Sequence, residues 1–168
     1  LGIVRIIIEK ELDLDLKSVL DHAGSCYQNF GSKQRVLQPE TLEKVFSFMM
    51  ERLRVYYTDA GISVDVFEAV SVVRPTRPYD FDQRVRAVNA FRQLAGADAL
   101  AAANKRAANI LRQAIESGIA IAATVDASLL QEAAEKALAE RIASVSDAVK
   151  PALAKLDYTS ALQQMAVL

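Results

Sequence analysis

Leu42-Glu-Lys-Val-Phe-Ser-Phe-Met-Met-Glu-Arg-Leu-Arg-Val-Tyr56 sets Leu42, Val45, Phe46, Met49, Leu53 and Tyr56 at spacings of three and four. That is the apolar stripe of an amphipathic helix. Pro39 suits its first turn, and Gly61 suits its stop. The same period continues upstream, where Leu16, Val19, Leu20, Ala23 and Tyr27 predict a helix from Asp15 to about Phe30, ended by Gly31. Residues 3–8 are rich in β-branched types, but their flanks carry no hairpin signal, so they read as a helix as well.

Downstream, Ser63 is the expected N-cap of a short helix reaching Val73. Arg74-Pro75-Thr76-Arg77-Pro78 stops it, since each proline excludes the residue before it from helix. Asp80 is expected to cap a helix running to about Leu94, and Ala97–Ser117 to form the next, with Leu100, Ala103, Ala107, Ile110, Leu111 and Ala114 on one face. Gly118 breaks it, Asp126 is expected to open a further long helix, and Pro151 and Tyr158 to sit near boundaries of the last short ones. There is no persuasive strand pair and no repeat of fixed period. The expectation is an all-α bundle of about eight helices.

The 168 residues carry 20 Lys and Arg against 21 Asp and Glu, a net charge of −1 that seems to exclude a nucleic-acid partner. Taken by segment, residues 1–73 carry −3, residues 74–112 carry +5 and residues 113–168 carry −3. Seven of the eight middle cations are Arg, whose planar fork suits phosphates and base edges. Screening confines such a field to about 8–10 Å, so distant acids do not cancel it. With 52% apolar and 24% charged residues the composition is that of a globular protein. No uncharged stretch, residues 117–125 among them, comes near the ~20 residues of a bilayer span. The lone Cys26 forms no internal disulfide. Lacking an initial Met and ending in an apolar run, the chain reads as cut from a longer protein at both ends.

Candidate chemistry is scarce. His22 and Cys26 stand at i and i+4, but a structural zinc wants four ligands and the chain has no second His or Cys. The expectation is a packed thiol beside an imidazole, and no metal. No Ser/His/Asp triad can be assembled around a single His, and no phosphate-cradling Gly motif occurs. Glu9/Glu11 and Asp13/Asp15 read as solvated faces. No catalytic residue is expected. Asp80 precedes Arg84 by four and Asp82 precedes Arg86 by four, the spacing of helix ion pairs. Arg84 and Arg92 also fall near the apolar side set by Phe81, Val85 and Val88, so Arg84, Arg86 and Arg92 read chiefly as structural. Lys105, Asn109 and Arg112 share one face of their helix, opposite Leu100, Ala107 and Leu111. That face reads either as a binder of phosphates and a base edge or as a plain solvated surface. Asn104 falls on the apolar side and is expected to fix a neighbouring loop. The last 74 residues hold 23 Ala, which propagates helix but buries little surface. Weak packing is expected there.

Arg74-Pro-Thr-Arg-Pro-Tyr-Asp-Phe-Asp-Gln-Arg-Val-Arg-Ala-Val88, followed by Leu100-Ala-Ala-Ala-Asn-Lys-Arg-Ala-Ala-Asn-Ile-Leu111, resembles the C-terminal part of the bacterial glycyl-tRNA synthetase β-subunit family. Gly2-Ile-Val-Arg-Ile-Ile-Ile-Glu-Lys10 and Phe48-Met-Met-Glu-Arg-Leu-Arg-Val-Tyr-Tyr57 resemble the same family in the same order. The likeness is strong to about residue 112 and rests beyond it on length and helical pattern. Ala107 departs from it, standing where the family usually has a larger branched residue. The resemblance implies a helical linker over 1–73, after an HD-like domain, then a DALR-like anticodon-binding domain over 74–168 that lacks its closing helices. It also implies a cytoplasmic α₂β₂ ligase in which the α subunit uses ATP with Mg and glycine, while the β subunit binds glycine tRNA. Membrane and DNA partners and a cofactor within this piece are not implied. Arg74, Arg77, Lys105, Arg106, Asn109 and Arg112 are the candidate RNA-binding residues; the alternative is a structural, subunit-interaction segment without RNA contacts.

Overall fold

The computed structural model describes residues 1–30, 36–38 and 40–166, and these form eight α-helices and one 3-10 turn with no strand among them. The all-α expectation is met. Gly31 and Pro39, assigned to a helix stop and a first turn, lie outside the described residues. The chain forms two compact units, Leu1–Asn89 and Ala90–Leu168. The break falls beyond residue 73, where the resemblance implies a division, because Phe81 and Val85 are completely buried in the core of the first unit.

In the first unit the elements are α1 (Gly2–Glu9), α2 (Leu16–Gln28), α3 (Thr41–Asp59), α4 (Val64–Ser71) and most of α5 (Pro78–Phe91). The stripe of α3 delivers Phe46 and Leu53 to a core shared with Val4 and Ile8 of α1, Leu16 of α2, and Val66, Phe67 and Val70 of α4. Phe81 sits among aromatics, 5.3 Å from Phe67 and 5.9 Å from Tyr57 between ring centroids. Such edge and tilted contacts add about 0.5–1.5 kcal/mol each beyond the area they bury. One polar group enters this core: Asp82 accepts from the Tyr57 hydroxyl at 3.0 Å and from Arg86 Nε at 2.6 Å. Burial, with the Asp82 carboxylate beside it, pushes the Tyr57 hydroxyl far above its ordinary pKa. Helix α5 starts at Pro78, not after a cap at Asp80. The fixed φ of proline and its missing N–H suit a first helical turn, and Asp80 then lies inside that turn, paired with Arg84 at 2.9 Å.

In the second unit the elements are α6 (Ala97–Glu116), α7 (Ala133–Ala154) and α8 (Tyr158–Met165). Asp126 does not open the long helix. It caps the 3-10 turn Ala127–Leu129 through the Ser128 amide at 2.9 Å, and α7 begins at Ala133, where Glu135 Oε2 accepts from the Gln131 and Glu132 amides. Pro151 lies within the last turn of α7, near the boundary at Ala154 as expected. Only one helical hydrogen bond, to the Asp147 carbonyl, is lost there. Helices α7 and α8 pack on each other, with Val145 and Ala161 buried. Asp157 caps α8 through the Ser160 amide at 3.0 Å. Few side chains in this unit are buried; Ile110 and Leu111 of the expected apolar face of α6 remain 56% and 47% exposed. Short alanines on the facing surfaces leave little to pack against.

Candidate nucleic-acid interface

Helix α6 carries the cleanest set of candidate residues. Its first three turns are largely Ala and Leu with no β-branched residue before Ile110, and Gly118, at φ +74°, follows its end. That composition extends a straight helix with little side-chain bulk. Lys105 and Arg106 are exposed and make no ion pair with any described residue. Arg112 Nη2 donates to Asn109 Oδ1 at 3.1 Å. With its oxygen so engaged, the half-buried Asn109 keeps its NH₂ group, two donors, without an acceptor among the described residues. A shallow groove of about 400 Å³ runs along this face past Ala102, Lys105, Arg106, Asn109, Ile110 and Gln113. Ala102 keeps one wall low. The face therefore presents cations and amide donors together, the equipment for phosphate oxygens and base acceptors. Asn104 is exposed, not buried on an apolar side, so water satisfies its amide and it fixes no loop.

Arg74 and Arg77 have a different setting, in the first unit. Arg74 is ion-paired with Glu43 of α3, and Arg77 with Asp13 of the α1–α2 connection. Between them the Thr76 carbonyl accepts from the Leu16 amide at 2.9 Å, and the Thr76 hydroxyl donates to Asp15 Oδ2 at 2.6 Å. Asp15 also caps α2 by accepting from the Ser18 amide at 2.9 Å. The Thr76 hydroxyl first, then that amide, hold the Asp15 carboxyl below the usual carboxylate range. The Arg-Pro-Thr-Arg-Pro segment is thus clasped to the start of α2 and to α3. Arg74 adopts φ +49°, the left-handed region, where it ends the turn after α4. Both guanidinium groups remain about half-exposed or more and can still meet an anion, but each already has a carboxylate.

The other expectations resolve simply. Asp80–Arg84 and Asp82–Arg86 form the ion pairs their spacing predicts. Glu9 pairs with Arg5 at 2.7 Å. His22 Nε2 and Cys26 Sγ lie 3.7 Å apart, and both residues are exposed on α2, so the thiol is not packed. Successive turns of one surface helix meet there, with no core behind them. Among the described residues no group of three or more His, Cys, Asp or Glu could hold a metal ion. No helix is long and apolar enough to cross a membrane. The partners of Arg74 and Arg77 were not foreseeable from sequence spacing, and neither was the contribution of Ile110 to the α6 groove, whereas Ala102 and Gln113 follow from the helical period.

Fold and surface together define a helical module that offers charge and hydrogen-bond donors along one exposed helix face. Residues 1–72 match the family model described as glycyl-tRNA synthetase beta subunit. The whole chain is 46% identical over 168 residues to the glycine–tRNA ligase beta subunit of Pseudomonas aeruginosa (strain LESB58), covering 23% of that protein. It is 44% identical over 166 residues to that of Vibrio vulnificus (strain YJ016), covering 99% of this chain and 24% of the relative. The counterpart from Actinobacillus pleuropneumoniae serotype 5b (strain L20) is 45% identical over 168 residues. The chain belongs to the glycyl-tRNA synthetase β-subunit family, and spans about a quarter of the length of these relatives. The similarity runs through the Ala-rich part as well, beyond the stretch whose motifs carry the resemblance.

Proposed function

We propose that the chain is the tRNA-binding part of the β subunit of a glycine–tRNA ligase, contacting the anticodon arm of glycine tRNA. The observation that carries this reading is the α6 face, where Lys105, Arg106 and the Asn109 amide stand along one groove, Arg112 bonds to Asn109 beside it, and among the described residues only Asn109 engages any of these cations. Cations there hold phosphates, and the amide and Arg112 meet unpaired bases, which single-stranded loops splay outward. Arg74 and Arg77 belong to the same reading as secondary contacts, since each must share its charge with a carboxylate. Glycylation would proceed at the α subunit, with ATP and Mg, in a cytoplasmic α₂β₂ assembly; this piece would bind and position, not catalyse.

The test is charge reversal, Lys105→Glu with Arg112→Glu, in the full β subunit assembled with α. The expected result is a raised KM for tRNA with glycine activation unchanged. An unchanged tRNA KM overturns the assignment of this face.

A second reading, a structural or subunit-interaction segment without RNA contacts, draws support from the exposed apolar side chains of the second unit, among them Ile115 and Ile142. It predicts tRNA affinity indifferent to these charges.

A further inference from the structure

Asp82 is the one charged side chain buried among the described residues, and core packing gives no reason for it. A buried ion pair often stabilises less than apolar residues of similar volume would. The geometry supplies a reason instead. Oδ1 accepts from the Tyr57 hydroxyl at 3.0 Å, and Oδ2 accepts from Arg86 Nε at 2.6 Å. Tyr57 is itself buried, its ring 5.2 Å from that of Tyr56 and 5.9 Å from that of Phe81. The carboxylate is thus fixed from behind by the core, and it fixes Nε in front.

Arg86 runs from core to surface. Its side chain is 59% exposed, against 4% for Asp82. Nε is its one nitrogen with an acceptor among the described residues, which leaves the N–H groups of Nη1 and Nη2 available. An ordinary surface arginine gives up rotamer freedom when it closes on an oxyanion, whereas this one has given up much of it in folding. Helix α5 sorts its charges in the same way. Its acids Asp80 and Asp82 are 13% and 4% exposed, its cations Arg84 and Arg86 35% and 59%. Each pair is formally neutral, but the sunken member is the acid, so the outward end is cationic. A planar fork turned outward suits the paired oxygens of a phosphate or a carboxylate. A tRNA presents the former at every nucleotide.

We propose that Arg86 is a further RNA contact, its guanidinium held by Asp82 and Tyr57 as a fixed fork for a backbone phosphate of the tRNA; this rests on the functional reading above. Asp82 and Tyr57 are positioning residues and do not touch the RNA. Because Asp82 already balances its charge, Arg86 contributes directed hydrogen bonds and releases few counterions. The salt dependence of binding stays with the α6 cations.

Filter binding of glycine tRNA to the full-length β subunit assembled with α tests the assignment. Arg86→Lys keeps a cation beside Asp82, and with it the fold, but loses the fork. It is expected to raise the Kd for tRNA about tenfold, with the slope of log K against log salt unchanged. Asp82→Asn keeps the shape and the bond from Tyr57 while releasing Arg86 Nε. It is expected to raise the Kd by a similar factor, and to add little in the Arg86→Lys background. A wild-type Kd in Arg86→Lys overturns the inference, and so does an Asp82→Asn effect that is undiminished in that background. Weakened association of α with β at unchanged tRNA affinity overturns it too, because the fork then meets a protein carboxylate. Those outcomes leave the functional reading standing. Failure of the wild-type assembly to retain tRNA is a separate result, which removes the functional reading and this inference with it.

Discussion

Asp15 shows how one side chain joins distant parts of the chain. Its two carboxylate oxygens divide the work, one capping α2 at the Ser18 amide and the other accepting from Thr76, 61 residues away. Those bonds favour the ionised form, so the folded-state pKa lies below the unfolded value of about 3.9. A group depressed in this way contributes stability above its unfolded pKa and loses it as the pH falls through the folded value. Thr76→Val removes the larger cause. It is expected to destabilise the first unit by at most about 1 kcal/mol at pH 7, the exposed setting having screened the rest. Urea unfolding at pH 7 and pH 3 checks this: the difference between variant and wild type should shrink at the lower pH. At this scale local spacing was legible and long-range pairing was not. Asp80–Arg84 and Asp82–Arg86 were readable because a helix brings i and i+4 together whatever surrounds it. Arg77–Asp13 and Arg74–Glu43 depend on how α2, α3 and the proline segment pack, and no local period encodes that.

At the scale of elements, helix identity followed from the apolar period and helix ends followed less well. The errors lie where two start signals compete. Pro78 and Asp80 both mark a helix start, and proline at the first position prevailed. Asp126 and Glu132 both mark one, and the first capped only a short 3-10 turn. Small residues had a role that propensity alone does not describe. A Cβ placed on Gly96, just before α6, would lie 2.8 Å from the Ala166 carbonyl oxygen at the end of α8. That atom is backbone and has nowhere cheap to move. Gly96→Ala is therefore expected to cost about 1–3 kcal/mol and to open α8 first. Hydrogen exchange should show lost protection over α8 while the first unit stays protected. A uniform, unaltered exchange pattern would mean that α8 yields without cost.

At the scale of the molecule, the near-neutral total conceals a positive middle segment shared between two units. Within the first unit Arg74, Arg77, Arg84 and Arg86 all have carboxylate partners, so much of that charge is spent internally. Lys105, Arg106 and Arg112 of the second unit have none among the described residues. Binding through these three is expected to give log K against log salt a slope near −2, at about −0.7 per phosphate neutralised on a single strand. Filter binding of tRNA to the full-length β subunit across a salt series measures it. A slope near zero would favour the structural reading. The chain alone determined that the fold is helical, where most helices run, which family it belongs to and which residues carry positive charge, because periodicity, turn chemistry and motif are local properties. Tertiary structure decided which of those cations were left unpaired, which carboxylate was buried and where the compact units divided. Each of those depends on packing between residues far apart in sequence, and a carboxylate brought close from elsewhere changes what an arginine can do.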